Sequence, residues 1–259
     1  VATSAYFIGV AAVVISGIML KKFKAFAGEP APFVMELPAY HAPSASNVLR
    51  SMWERGWSFI KRAGTIILLS TIILWFLSNF GFADGGFGWV EDSDASLLAA
   101  VGSVIAVIFI PLGFGNWQAA VATITGLIAK EEVVSTMQVF YPGDLIANIA
   151  MAFTAASAYS FMVFNLLCAP CFAAMGAIKR EMNNAKWTWA AIGYMCGFAY
   201  VASLIVYQLG GLFTGAVTFG VWTVVALAAL AAIIYLLVRK GYQGEDRSRQ
   251  LSSVAAAAR

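Results

Sequence analysis

The chain has 259 residues, 61% of them hydrophobic and 11% charged, with a mean hydropathy of +0.81 and a formal net charge of +3. A composition so apolar and so poor in charge excludes a soluble domain and defines an integral membrane protein. The basic residues are spread along membrane flanks instead of forming a patch, which argues against a nucleic-acid partner, and Cys168, Cys171 and Cys196 all sit in apolar sequence, which argues against a disulfide framework.

Ala5 to Leu20 is an apolar run that closes on Lys21, Lys22 and Lys24, the pattern of a membrane span ending at a cytoplasmic flank. The chain starts on Val1, with no basic region or cleavage site ahead of this run, so its start is expected to be the cut end of a longer chain. Gly28 to Pro43 holds four of the seven prolines and cannot sustain a helix. From Asn47 an amphipathic lead-in with Trp53, Arg55, Trp57, Lys61 and Arg62 feeds a span over about 63–80, which ends in the Gly-rich, acidic stretch from Gly81 to Asp94.

The next span, 95–110, stops at Pro111, Gly113 and Gly115. A helix from Trp117 to Phe140 follows, then a turn over 141–144, then an apolar segment from Leu145 to Leu167 that runs into Cys168-Ala169-Pro170-Cys171. A short helical segment leads to Lys179-Arg180-Glu181 and Lys186, and two more spans cover Trp187 to Gln208 and about 213–238. The expected fold is therefore all-α: a polytopic transmembrane domain over 1–240, about seven segments with interrupted helices near Pro111 and Pro170, and a polar, disordered tail over 241–259.

Charge fixes an orientation for this order. With the N-terminal end outside and the C-terminus cytoplasmic, every Lys and Arg except Lys130 falls on the cytoplasmic side, while the outer loops carry only Asp84, Glu91, Asp92, Asp94 and Asp144.

Lys130, Glu131 and Glu132 lie inside a membrane-spanning pattern. Facing lipid, the three would together cost on the order of 7–10 kcal/mol, so they must face protein or a wet cavity. On a continuous helix Glu131, Glu132, Gln138, Ser135, Thr125 and Thr136 share an arc of roughly 160°. Lys130 lies on another flank beside Gly126, whose missing side chain would let a second helix come close. Two readings stand: a cation pathway with carboxylate ligands, or a structural ion pair between Lys130 and a glutamate.

At Cys168-Ala169-Pro170-Cys171, proline frees a carbonyl one turn earlier beside two thiols. Thiols suit soft and borderline cations, carbonyls and carboxylates harder ones, so ferrous iron, manganese or zinc could use the mixture. Packed apolar cysteines and a redox pair are the alternatives. Together the breaks at Pro111 and Pro170 give the pattern in which unwound backbone lines a transport site, with a plain kink as the alternative at Pro111.

These motifs resemble those of FeoB-type ferrous iron transporters. Pro32 to Tyr40, including Glu36, Pro38 and Tyr40, with Trp53-Glu54-Arg55 and Lys61 to Ile67, is similar to the segment after that family's first gate. Pro111-Leu112-Gly113-Phe114, Thr125-Gly126 and Ala129-Lys130-Glu131 resemble its second gate, and Leu166 to Cys171 with Ala177 to Glu181 continues the match in order.

The resemblance implies import of ferrous iron across the bacterial inner membrane by a permease, not an enzyme. It makes Cys171 the gate cysteine and Glu131 the glutamate after Ala-Lys, while Cys168 and Glu132 depart from the common pattern and join the ligand set by inference. The first gate and a phosphate-binding G-x-x-x-x-G-K-[ST] motif are missing from the sequence. This chain is then expected to bind no cofactor, with GTP and Mg entering only through a domain outside it. Expected partners are the bilayer, Fe(II), the N-terminal half with its G domain and first gate, a small cytoplasmic accessory protein, and further copies of the chain. Rival functions are a gate-containing transporter of an organic solute such as a nucleoside, and a membrane thiol oxidoreductase or scaffold.

Overall fold

The computed structural model describes residues 2–23, 44–83, 86–90, 93–141 and 143–239. The chain divides into two compact units, one of Val1–Ala42 with Ala228–Arg259 and one of Pro43–Leu227.

In the smaller unit, α1 (Ala2–Lys21) has twenty residues, about 30 Å and enough to cross a bilayer. Its large apolar side chains are mostly exposed, as a lipid-facing helix requires. Just past its end the Lys22 ammonium donates to the carbonyl of Leu237 near the end of the last helix.

The larger unit begins with α2 (Ala45–Asn79), in which the amphipathic lead-in and the expected span form one unbroken helix. The Gly-rich stretch after α2 folds as a small hairpin of β1 (Phe80–Ala83) and β2 (Gly86–Trp89) within an otherwise all-α fold. Its register pairs Phe80 with Trp89 and Phe82 with Phe87, placing four aromatics on one face. Gly81 on the other face lies so close to the Ala95 carbonyl that an added Cβ would sit 2.0 Å from its oxygen.

Next come α3 (Leu97–Phe109), a 3-10 turn over Ile110–Leu112, α4 (Trp117–Thr125), α5 (Glu132–Phe140), α6 (Leu145–Ala152), α7 (Ala155–Leu167), α8 (Phe172–Met182), α9 (Ala185–Thr214) and α10 (Val221–Val238). The expected helix from Trp117 to Phe140 is therefore two short helices with a break at 126–131. The expected span from Leu145 to Leu167 is likewise broken, at Phe153-Thr154. Each break has a local cause. The Thr154 side chain caps α7 by accepting from the Ser157 N–H, and an added Cβ on Gly126 would lie 2.6 Å from Val133 Cγ2, so only glycine lets α5 fold back on α4.

These breaks also lower the count of spans. At eight or nine residues α4, α5 and α6 are each about 12–14 Å long, less than half a bilayer core. Among the described residues four helices are long and apolar enough to cross, or five when α3 and α4, bent by 99°, are taken as one broken span. The expected seven are not reached on length and composition.

The core of the larger unit sits where α7 packs on α9, and α3 on α4. Leu112, Phe114, Ala119, Ala120, Ala122 and Ala199 are buried there, and the rings of Phe109, Phe114, Phe161 and Phe164 lie edge-on and stacked with centroids 5.1–6.0 Å apart. Small residues on α4 let its neighbours come close.

Candidate ion-passage site

Two helix breaks lie beside the expected site residues. At the first, Pro111 has no N–H to donate and the 3-10 turn ends at Gly113, φ 86°, a conformation that favours glycine. A Cβ there would also fall 2.1 Å from the Tyr207 ring. The carbonyls around this turn are taken up by side chains of other helices. Tyr200 donates to Ile108 O (2.9 Å), Gln208 Nε2 to Pro111 O (2.8 Å), and Ser160 Oγ to Leu112 O (2.8 Å).

Behind them the hydroxyls of Ser160 and Ser203 lie 2.7 Å apart, Ser203 Oγ donates to Ser160 O, and Thr223 donates to Gln208 Oε1 (3.1 Å). Ser160, Ser203, Gln208 and Thr223 are all buried. The unpaired backbone expected near Pro111 is thus satisfied within the protein.

The second place is the 126–131 break together with the turn over Cys168 to Cys171 on the opposite side. A backbone hydrogen bond from Phe172 N to Leu127 O (2.8 Å) ties the two together. Lys130 reaches across the same gap. Its ammonium donates to Asn165 O (2.8 Å) and to Cys168 Sγ (3.0 Å). Asn165 O is available because α7 stops at Leu167 and no helical N–H follows to claim it.

Lys130 accordingly does not take the glutamate partner that the ion-pair reading required. Among the described residues no salt bridge joins it to Glu131 or Glu132. Glu131 is the N-cap residue of α5 and Glu132 lies in its first turn; both are exposed, at the helix end that favours negative charge. The polar arc survives the break in part, because Thr125 on α4 and Thr136 on α5 still meet, hydroxyl to hydroxyl at 3.0 Å.

Cys168 is buried at the end of α7 and Cys171 half-buried at the start of α8, both as free thiols. Pro170 is half-buried between them. Among the described residues no three His, Cys, Asp or Glu side chains gather as a metal cluster, so Cys171, Glu131, Cys168 and Glu132 do not form one closed shell. Glu36, Pro38 and Tyr40 lie outside the described residues.

Asn165 was not among the expected site residues, although an amide in the apolar run Phe164-Asn165-Leu166-Leu167 is a signal in its own right. Its Nδ2 donates to Phe161 O, and its buried Oδ1 has no partner. Ser160, Ser203 and Gln208 are further polar residues inside apolar runs, and the structure uses each one.

Fold and site together define a polytopic α-helical membrane domain built on paired helix breaks, the arrangement of membrane transporters. Two family models match in succession, residues 2–55 that of the ferrous iron transport protein B C terminus and residues 60–185 the Gate family, described as nucleoside recognition. The chain is 38% identical over 217 residues to the Fe(2+) transporter FeoB of Staphylococcus aureus (strain COL), covering 82% of this chain and 32% of that protein. It is 36% identical over 219 residues to the Fe(2+) transporter FeoB of Methanocaldococcus jannaschii, covering 81% and 32%. With a fusion of Fe(2+) transport protein A and FeoB from Porphyromonas gingivalis it shares 29% identity over 256 residues, 80% of this chain and 30% of the fusion.

The chain belongs to the FeoB family, as a C-terminal segment of its membrane part. It spans about a third of the length of these relatives. No solved structure matches it.

Proposed function

We propose that this chain is the part of a ferrous iron permease that carries the second gate, importing Fe(II) across the bacterial inner membrane with its N-terminal end outside and its C-terminus in the cytoplasm. The observation that carries the reading is the bridging of the 126–131 break and the cysteine turn: Phe172 N to Leu127 O, and Lys130 to Asn165 O and Cys168 Sγ, bring a thiol turn and a released carbonyl to one place in an apolar domain.

Partly dehydrated Fe(II) would pass Cys171, Glu131 and the carbonyls of the break, with Cys168 and Glu132 beside them. A borderline cation suits a mixed sulfur and oxygen set. Few and exchangeable ligands suit passage, since a closed tetrahedral thiolate site would hold the ion. Exposed Glu131 and Glu132 on α5 would draw the cation toward the thiols.

Coupling to GTP and Mg belongs to a domain outside this segment. The fusion of Fe(2+) transport protein A with FeoB in Porphyromonas gingivalis supports a small accessory protein as a further partner, and self-association completes the reading. An organic solute has the Gate description in its favour, but the FeoB relatives and the sulfur-carbonyl chemistry favour a cation. The test is ferrous iron uptake by an import-deficient bacterium carrying the full-length protein with Cys171→Ser or, separately, Glu131→Gln at matched membrane abundance. Each change should lower uptake about tenfold or more, the scale of losing an interaction of one to a few kcal/mol in passage. Unchanged uptake in both would hand the case to the organic-solute reading.

A further inference from the structure

Lys130 is half-buried, and it rests on two groups that are themselves cation ligands. Asn165 O is a carbonyl released by the end of α7, and Cys168 Sγ is a thiol buried from water. An ammonium is a compact charge with three donors; two are used here. Beside this pair the same asparagine keeps a buried side-chain oxygen with no donor, which is costly in a membrane interior unless something positive fills the need at some stage.

The geometry points to Lys130 as a tethered stand-in for the transported ion. Its ammonium occupies the place on Asn165 O and Cys168 Sγ that a divalent cation takes in passage, with Asn165 Oδ1 added to the ion's ligands, so that metal entry and ammonium exit are one exchange. The inference rests on the iron-permease reading and deepens it.

Three consequences make the exchange chemically reasonable. The charge in the pocket never falls to zero, so neither the carbonyl nor the sulfur is left bare in an apolar surround between ions. When the metal arrives the Cys168 thiol gives up its proton to solvent and binds as thiolate, one proton released for each ion bound through this sulfur, while Lys130 swings away still protonated. The net charge of metal plus thiolate then equals that of the ammonium it replaces. Finally, an ammonium that must be displaced weakens apparent metal affinity, which keeps the site exchangeable.

The test uses the full-length protein, purified without oxygen, with Co(II) alone as a probe whose thiolate ligation gives a sulfur-to-metal charge-transfer band. Lys130→Met removes the competing charge at nearly constant length, and it should tighten Co(II) binding about tenfold or more. Lys130→Arg keeps the charge and should not tighten it. Asn165→Val removes the orphan oxygen and should weaken binding about tenfold, as loss of a ligand does. Cys168→Ser should reduce the band.

Equal or weaker Co(II) binding by Lys130→Met, with the protein folded, would overturn the stand-in. Should Lys130→Met fail to fold, the Asn165→Val and Cys168→Ser pair decides, and unchanged binding and band in both would overturn the inference. Failure of the inference alone leaves Cys171→Ser still defective in uptake; failure of the iron reading shows as uptake indifferent to Cys171 and Glu131 and no thiolate band in the unmodified protein.

Discussion

The two helix breaks begin from the same chemistry and end differently. Around Pro111 the carbonyls of Ile108, Pro111 and Leu112 are bonded by Tyr200, Gln208 and Ser160, and buried Ser203 and Thr223 back them. Around Gly126 and Pro170 one carbonyl and one thiol are held by a single charged side chain, a neighbouring amide oxygen has no partner, and two glutamates are exposed. A fully satisfied break is a rigid fixture. A break whose polar groups are met by one flexible side chain is open to exchange, so we propose the first as scaffold and the second as passage.

The sharpest way to break that comparison is Gly113→Ala. The new Cβ would meet the Tyr207 ring at 2.1 Å in a left-handed backbone, and the cost should be about 3–5 kcal/mol, read as loss of folded protein in the membrane. A second change, Tyr207→Ala, should restore part of it through the removed clash alone.

Ser160→Ala removes one hydroxyl without adding bulk, and it strips the donor from buried Leu112 O and the partner from Ser203. About 2–3 kcal/mol of thermal stability should go, with iron uptake per folded molecule preserved. A large uptake defect at normal stability would move the first break into the pathway.

Gly126→Ala forces Val133 Cγ2 away from 2.6 Å and should cost about 1–3 kcal/mol, relieved by Val133→Ala. The smallest effect belongs to Thr125→Val, which removes the hydroxyl contact between α4 and α5 and should cost about 0.5–1.5 kcal/mol in a melting experiment.

The long apolar segments were legible from composition, and so were the interruptions at Pro111 and Pro170, because proline acts on the backbone locally. Four things were not. The break at 126–131 has no proline; it depends on Val133 packing against Gly126, a contact that helical periodicity cannot foresee. Thr154 looked like one polar residue in an apolar run and is instead the cap that starts α7. Lys130 was read against its charged neighbours in sequence, yet the chain gives it a carbonyl and a thiol 35 and 38 residues away. The hairpin over Phe80–Trp89 was hidden for a similar reason: its glycines signalled a loop, and only the cross-strand aromatic pairs make it a sheet.

That the second break and the cysteine turn carry the ion can be tested on the metal itself, by X-ray absorption at the iron edge of the full-length protein loaded anaerobically with Fe(II). The account predicts a sulfur scatterer at about 2.3 Å, the usual distance to a thiolate ligand, that disappears when Cys168 and Cys171 are both changed to serine. A first shell of oxygen and nitrogen only, the same in both proteins, would contradict it.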